Sequence, residues 1–158
     1  MELFLAQNHS AMTHLPIACS ILLAVCAAAA VFTTKREVAM AWAWLSILAF
    51  ISALPTVTTG MFAARGRFNT EGKPYIESGF FVTNVPASAR VWRHQLLGVT
   101  GFAVSLILSG LGVAKLRGRN ANKYLVLALA VTLALLWGIG GHLGGMEMWG
   151  PETFPALK

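Results

Sequence analysis

Charged residues in this chain fall in clumps, and the stretches between the clumps are long, apolar and without two-residue alternation. Leu3 to Thr34 holds no Lys, Arg, Asp or Glu, and its continuously apolar part begins near His14. Val38–Ala64, His94–Ala114 and Tyr124–Met146 are three further gaps of the same kind. About 20 apolar residues are needed to cross a bilayer as a helix, so each gap is long enough for one span. Backbone polar groups cannot go unpaired in hydrocarbon, which leaves helices or closed barrels, and runs this long exclude the barrel. The pattern predicts an all-α, integral membrane four-helix bundle of up-down-up-down topology. Its helices fall at about 12–34, 38–64, 90–115 and 122–146, joined by a long loop at 65–89, in a single domain over residues 1–158.

Composition agrees with that solvent. Of 158 residues, 56% are hydrophobic and 11% charged, against roughly a quarter charged in an ordinary soluble domain. The apolar start of the chain lacks the basic n-region of a secretory signal, since its only early charge is Glu2, so the first span is expected to be retained. Cys19 and Cys26 lie seven residues apart on one helix, too far to bridge each other, and read as packing residues. The absence of a Cys-x-x-Cys-His run excludes covalent c-type haem attachment.

Charge sets the orientation. Lys35 and Arg36 occupy one short loop, and Lys115, Arg117, Arg119 and Lys123 the other; an up-down bundle puts both on one face. The opposite face carries Arg65, Arg67, Lys73, Arg90, Arg93 and Lys158, spread through longer segments. The positive-inside bias acts on short loops, so the first face is expected in the cytoplasm and both termini in the periplasm of a bacterial inner membrane. Anionic headgroups then account for the net charge of +6, and no nucleic-acid partner is needed. Trp42 and Trp44 near one rim, with Trp92 and Trp149 near the other, read as interfacial anchors, while Trp137 lies deeper.

The four histidines carry the candidate chemistry. His9 and His14 enter the first helix, His94 enters the third, and His142 leaves the fourth, all on the non-cytoplasmic side. His14 stands 21 residues before Lys35, His94 21 before Lys115, and His142 19 after Lys123. Counted from that basic rim each is roughly 30 Å away. The matching stretch of the second helix, Thr56 to Gly60, is small and hydroxyl-rich, and the fourth helix is opened by Gly138, Gly140, Gly141, Gly144 and Gly145. Such residues also serve plain helix packing, and histidines also collect at wet helix ends, so a purely structural reading stands beside a functional one.

Zinc and copper sites recruit Cys or carboxylates beside His, or need three converging imidazoles, and the only carboxylate near this level is Glu147. Haem b needs two axial imidazoles from facing helices and an apolar slot. The expected cofactor or metal ligands are therefore His14, His94 and His142, with His14 and His94 the preferred pair on diagonal helices. Thr59, Gly60 and Gly141 line the site, His9 lies just outside it as a propionate partner or proton carrier, and Met146 and Met148 are weaker alternative ligands.

The run His9-Ser10-Ala11-Met12-Thr13-His14-Leu15-Pro16-Ile17-Ala18 resembles the His-Pro-x-x-x-His-Phe-Pro-Ile-Ala opening of a family of small four-helix bacterial membrane proteins of unknown function. The likeness continues in Thr59-Gly60, in His94 with Gly98, and in the run from His142 to Gly150; Ser10 and Leu15 depart from the pattern without removing a candidate ligand. The resemblance implies a layout like b-type cytochromes and neighbours such as Rieske or c-type cytochrome domains. It points to a subunit of a respiratory or photosynthetic complex, with membrane or periplasmic redox subunits as partners and quinone as a further candidate; so little mass outside the membrane leaves an electron carrier or redox-complex subunit the expectation over an enzyme acting alone. The alternatives are a cofactor-free membrane anchor, or a His-rich metal or quinone site. The loop at 65–89, with Tyr75, Ile76, Phe80 and Phe81 among its glycines and prolines, reads as an interfacial lid or a docking surface.

Overall fold

A computed structural model of the chain describes residues 8–65 and 89–149. They form four helices: α1 (His9–Phe32), α2 (Arg36–Arg65), α3 (Ala89–Leu116) and α4 (Lys123–Trp149). Each contains a segment of 22 to 26 residues apolar enough to cross a membrane, which at 1.5 Å per residue covers the roughly 30 Å of hydrocarbon. Each helix packs against its two neighbours in the ring α1, α2, α3, α4, so α1 faces α3 across the diagonal. The expected segment at 65–89 lies, apart from its helical ends, outside the described residues.

The distribution of side-chain size fits lipid as the solvent. Large apolar residues such as Leu15, Ile21, Leu22, Val25, Leu48, Ile51, Leu106, Ile107, Leu135 and Ile139 face outward. The interior holds Ala27, Ala43, Ala49, Ala53 and Ala130 with Ser20, Ser46, Ser52, Thr56, Thr59, Ser105 and Ser109, plus a few large residues including Leu23, Leu108 and Leu133. Lipid tails are as apolar as leucine, so burying large side chains gains little; small residues let the backbones close up instead. Gly112 of α3 is the tightest case. A Cβ there would meet Ala43 O at 2.6 Å and would overlap the Ser46 hydroxyl. Ser46 turns that hydroxyl back onto Ala43 O at 2.7 Å, leaving no bare polar group in the seam.

Two joints fix the helices lengthwise. Pro16 lacks the N–H that would bond the carbonyl four residues earlier, and that carbonyl is Met12 O. The Thr56 hydroxyl of α2 reaches it at 2.8 Å, so a proline in α1 is matched by a hydroxyl from its neighbour. At the other end Lys123, at the start of α4, donates to Val31 O at 2.6 Å, near the end of α1. The loop between α3 and α4 is self-contained. Gly118 takes φ +80, its N–H bonds Lys115 O and that of Arg119 bonds Ala114 O, and Asn122 Oδ1 accepts from Tyr124 N and Leu125 N to cap α4.

Trp42 is not an interfacial anchor. It is 5% exposed, on the inward side of α2, whereas Trp44 two residues on is 55% exposed to the outside. Two residues on a helix are about 200° apart, so one of the pair has to turn inward. Trp137 is also buried, packed against Gly101 of α3. Cys19 and Cys26 are both unbridged thiols.

Candidate functional site: a paired imidazole across the bundle

The levels of the helices decide which histidines meet. Lys35 lies beyond the end of α1 whereas Lys115 lies within α3, so depth counted from basic residues is skewed by about a turn. Counted from the helix ends, His9 stands 23 residues before Phe32 and His94 stands 22 before Leu116. Thr59 and Gly60 of α2, and Gly144 of α4, fall at the same height from the ends of their own helices. His9 and His94 accordingly face each other across the diagonal, ring centres 6.1 Å apart and ring planes at 74°.

His14 takes no part in that pairing. It is exposed on the outer side of α1, and its Nδ1 donates to Ser10 O of its own helix at 2.7 Å. His9 and His14 are five residues apart, about 140° around a helix, so the two cannot share a face. His9, expected just outside the site, is the first residue of α1 and is the ring that faces His94. His142 is half-buried and stands about 140° around α4 from the middle of the stripe formed by Trp137, Gly140, Gly141 and Gly144. The side chains of Met146 and Met148 lie outside the described residues.

Each ring of the pair is held by the second helix of its own hairpin. The His94 Nδ1 lies 2.7 Å from Gly140 O. A carbonyl only accepts, so this Nδ1 carries a proton and donates it. The His9 Nδ1 lies 3.1 Å from the Thr59 hydroxyl oxygen. That hydroxyl gives its own proton to Pro55 O at 2.7 Å, so it accepts from His9 Nδ1. Beneath each ring lies a glycine. A Cβ on Gly60 would come within 2.8 Å of the His9 ring, and one on Gly144 within 2.8 Å of the His94 ring. The arrangement in the α1–α2 hairpin is thus repeated in the α3–α4 hairpin, although no repeat is visible in the sequence.

Gly141 lies at the α1–α4 seam. A Cβ there would meet Ile17 Cδ1 of α1 at 2.7 Å, so Gly141 receives an aliphatic side chain. Among the described residues no three His, Cys, Asp or Glu side chains gather where they could hold a metal ion. What the arrangement presents is two imidazoles on diagonal helices, each anchored through its Nδ1 to the helix that follows its own.

Neither the curated proteins nor the solved structures include a match to this chain. A family model does match it, over residues 8–152, which takes in all four helices and both rings of the pair. With a match of that extent, and with four membrane-spanning helices in a single bundle, the chain belongs to the family described as "Predicted membrane protein (DUF2231)".

Proposed function

We propose that this protein is a membrane electron-transfer subunit that holds haem b between His9 and His94. The observation that carries this reading is the anchored pair itself: two imidazoles on diagonal helices, both with Nδ1 engaged and centres 6.1 Å apart. A metal–imidazole bond is roughly 2 Å and the ring centre lies about 1 Å behind its nitrogen, so two rings on opposite sides of one metal ion stand roughly 6 Å apart. The donor set also fits, because haem needs two axial ligands, whereas the described residues offer no third side chain for a zinc-type site. Gly60 and Gly144 leave room for the two rings against α2 and α4. When bound, haem supplies a one-electron carrier. The chain's own residues hold it, fix the ligand tautomers through Thr59 and Gly140 O, and surround it with lipid-facing helices that exclude water.

The purified protein, made with ample haem supply, is expected to show a sharp Soret band and resolved α and β bands on reduction. Colourless protein of full helical content overturns the reading in favour of a cofactor-free membrane anchor. Redox partners in the membrane or periplasm follow from the same proposal, since an electron carrier needs a donor and an acceptor.

The proposal includes the orientation, supported by Lys35, Arg36, Lys115, Arg117, Arg119 and Lys123 in the two short connections and their flanks. The paired imidazoles then lie toward the periplasmic face of a bacterial inner membrane. A reporter active only in the cytoplasm is expected to work when inserted beside Arg117 and to fail when fused after Lys158; the reverse turns the molecule over.

A further inference from the structure

Resting on the haem reading, we propose that Thr59 and the Gly140 carbonyl are twin positioning groups that hold the two axial imidazoles in near-perpendicular planes, making the bound ferric haem a strongly anisotropic low-spin centre. Three observations converge on it. The rings stand at 74° to one another. Each Nδ1 is bonded to the neighbouring helix rather than to its own, His9 to Thr59 and His94 to Gly140 O, so ring rotation about the side-chain bonds breaks an interhelical hydrogen bond. Each ring also rests on a glycine, with near-identical spacings: a Cβ at Gly60 would lie 2.8, 3.3 and 3.4 Å from three His9 ring atoms, and one at Gly144 would lie 2.8, 3.2 and 3.3 Å from the same three atoms of His94. One device therefore occurs twice, once per hairpin, with its two copies turned relative to each other.

The spectroscopic consequence follows from ligand π-bonding. An imidazole raises the iron d orbital that points perpendicular to the ring plane. Two parallel rings raise the same orbital and split the d pair; two perpendicular rings raise one each and leave the pair nearly degenerate. Near-degeneracy leaves orbital angular momentum unquenched, which appears in electron paramagnetic resonance as a single feature at large g in place of a three-line rhombic spectrum. Outer contacts that orient a ligand are an established lever on a metal centre, and here they are one threonine hydroxyl and one backbone carbonyl.

The test uses the full chain in detergent or lipid, at cryogenic temperature, in the ferric state. Wild type is expected to give the large-g signal. Thr59→Val removes the acceptor for His9 Nδ1, frees that ring, and is expected to move the spectrum toward the rhombic form while the haem stays six-coordinate; Thr59→Ser is expected to restore the parent signal. A rhombic wild-type spectrum from low-spin, bis-imidazole haem overturns the orientation proposal and leaves the haem reading standing, whereas protein that takes up no haem overturns both. A separate arm needs no haem. Nitrogen-15 spectra of haem-free protein are expected to show both His9 and His94 protonated at Nδ1, and protonation at Nε2 alone on either ring overturns the positioning role.

Discussion

Replacing His9 or His94 by Ala is expected to abolish the six-coordinate low-spin spectrum, leaving five-coordinate high-spin haem or none, while His14→Ala keeps the parent spectrum. Iron that loses one of two axial imidazoles keeps one at best. His14 can be spared because it faces outward and bonds its own helix. His142→Ala is expected to preserve six-coordination as well, since that residue stands well around α4 from the stripe that meets His94. Absorption spectra of the oxidised and reduced variants, each first checked for helical content, decide the matter. Loss of the low-spin bands in His14→Ala with retention in His9→Ala would assign the ligand pair to His14 and His94 instead.

The largest expected effect on stability is at Gly112. A Cβ there meets a backbone carbonyl and a buried hydroxyl already bonded to it, so neither can yield without moving α2 away from α3. Gly112→Ala is expected to cost about 2–3 kcal/mol, the upper part of the range for overpacking a close-packed interior. Gly110 is the control: it lies two residues away in the same helix, and a Cβ there meets nothing within 4 Å. Gly110→Ala is expected to be neutral or stabilising by roughly 0.5–1 kcal/mol through helix propensity. Thermal unfolding of the two variants in one detergent compares them directly. Equal losses would show that the α2–α3 seam has slack that its spacing denies.

Charge spacing made the four spans legible, because a bilayer demands one length of apolar chain whatever the residues are. The structure lengthens α1 at its start, to His9, and ends it at Phe32, short of the boundary expected at residue 34. His14 looked level with His94 because Lys35 stands beyond the end of α1 while Lys115 stands inside α3. The tail of α1 carries no basic residue, so a count from Lys35 includes residues outside the helix. The angular step between His9 and His14 was available in the sequence, and it already said that only one of them could point inward. Which one depends on the packing of Pro16, Cys19, Leu23 and Ala27 into the core, and the weak periodicity of an almost uniformly apolar helix does not announce its inner face. Thr59 and Gly60 were legible as a small, polar place for close approach, but that a histidine ring fills it depends on a helix 50 residues away in the chain. The orphaned carbonyl at Met12 could be inferred from Pro16 alone; its partner could not.

His9 belongs to the first hairpin and His94 to the second, and α1 and α3 are diagonal rather than neighbouring helices. During synthesis the first hairpin emerges with both partners of its Pro16–Thr56 joint, yet it carries one imidazole of the pair only. Any ligand that grips both rings can load only after the third helix has entered the bilayer and found its level. Once loaded it acts as a strut between two halves that otherwise meet along their sides, and binding is drawn from the same free energy that holds those halves together. Maturation of the site and completion of the bundle are then one event, so an unfinished or wrongly inserted chain stays empty.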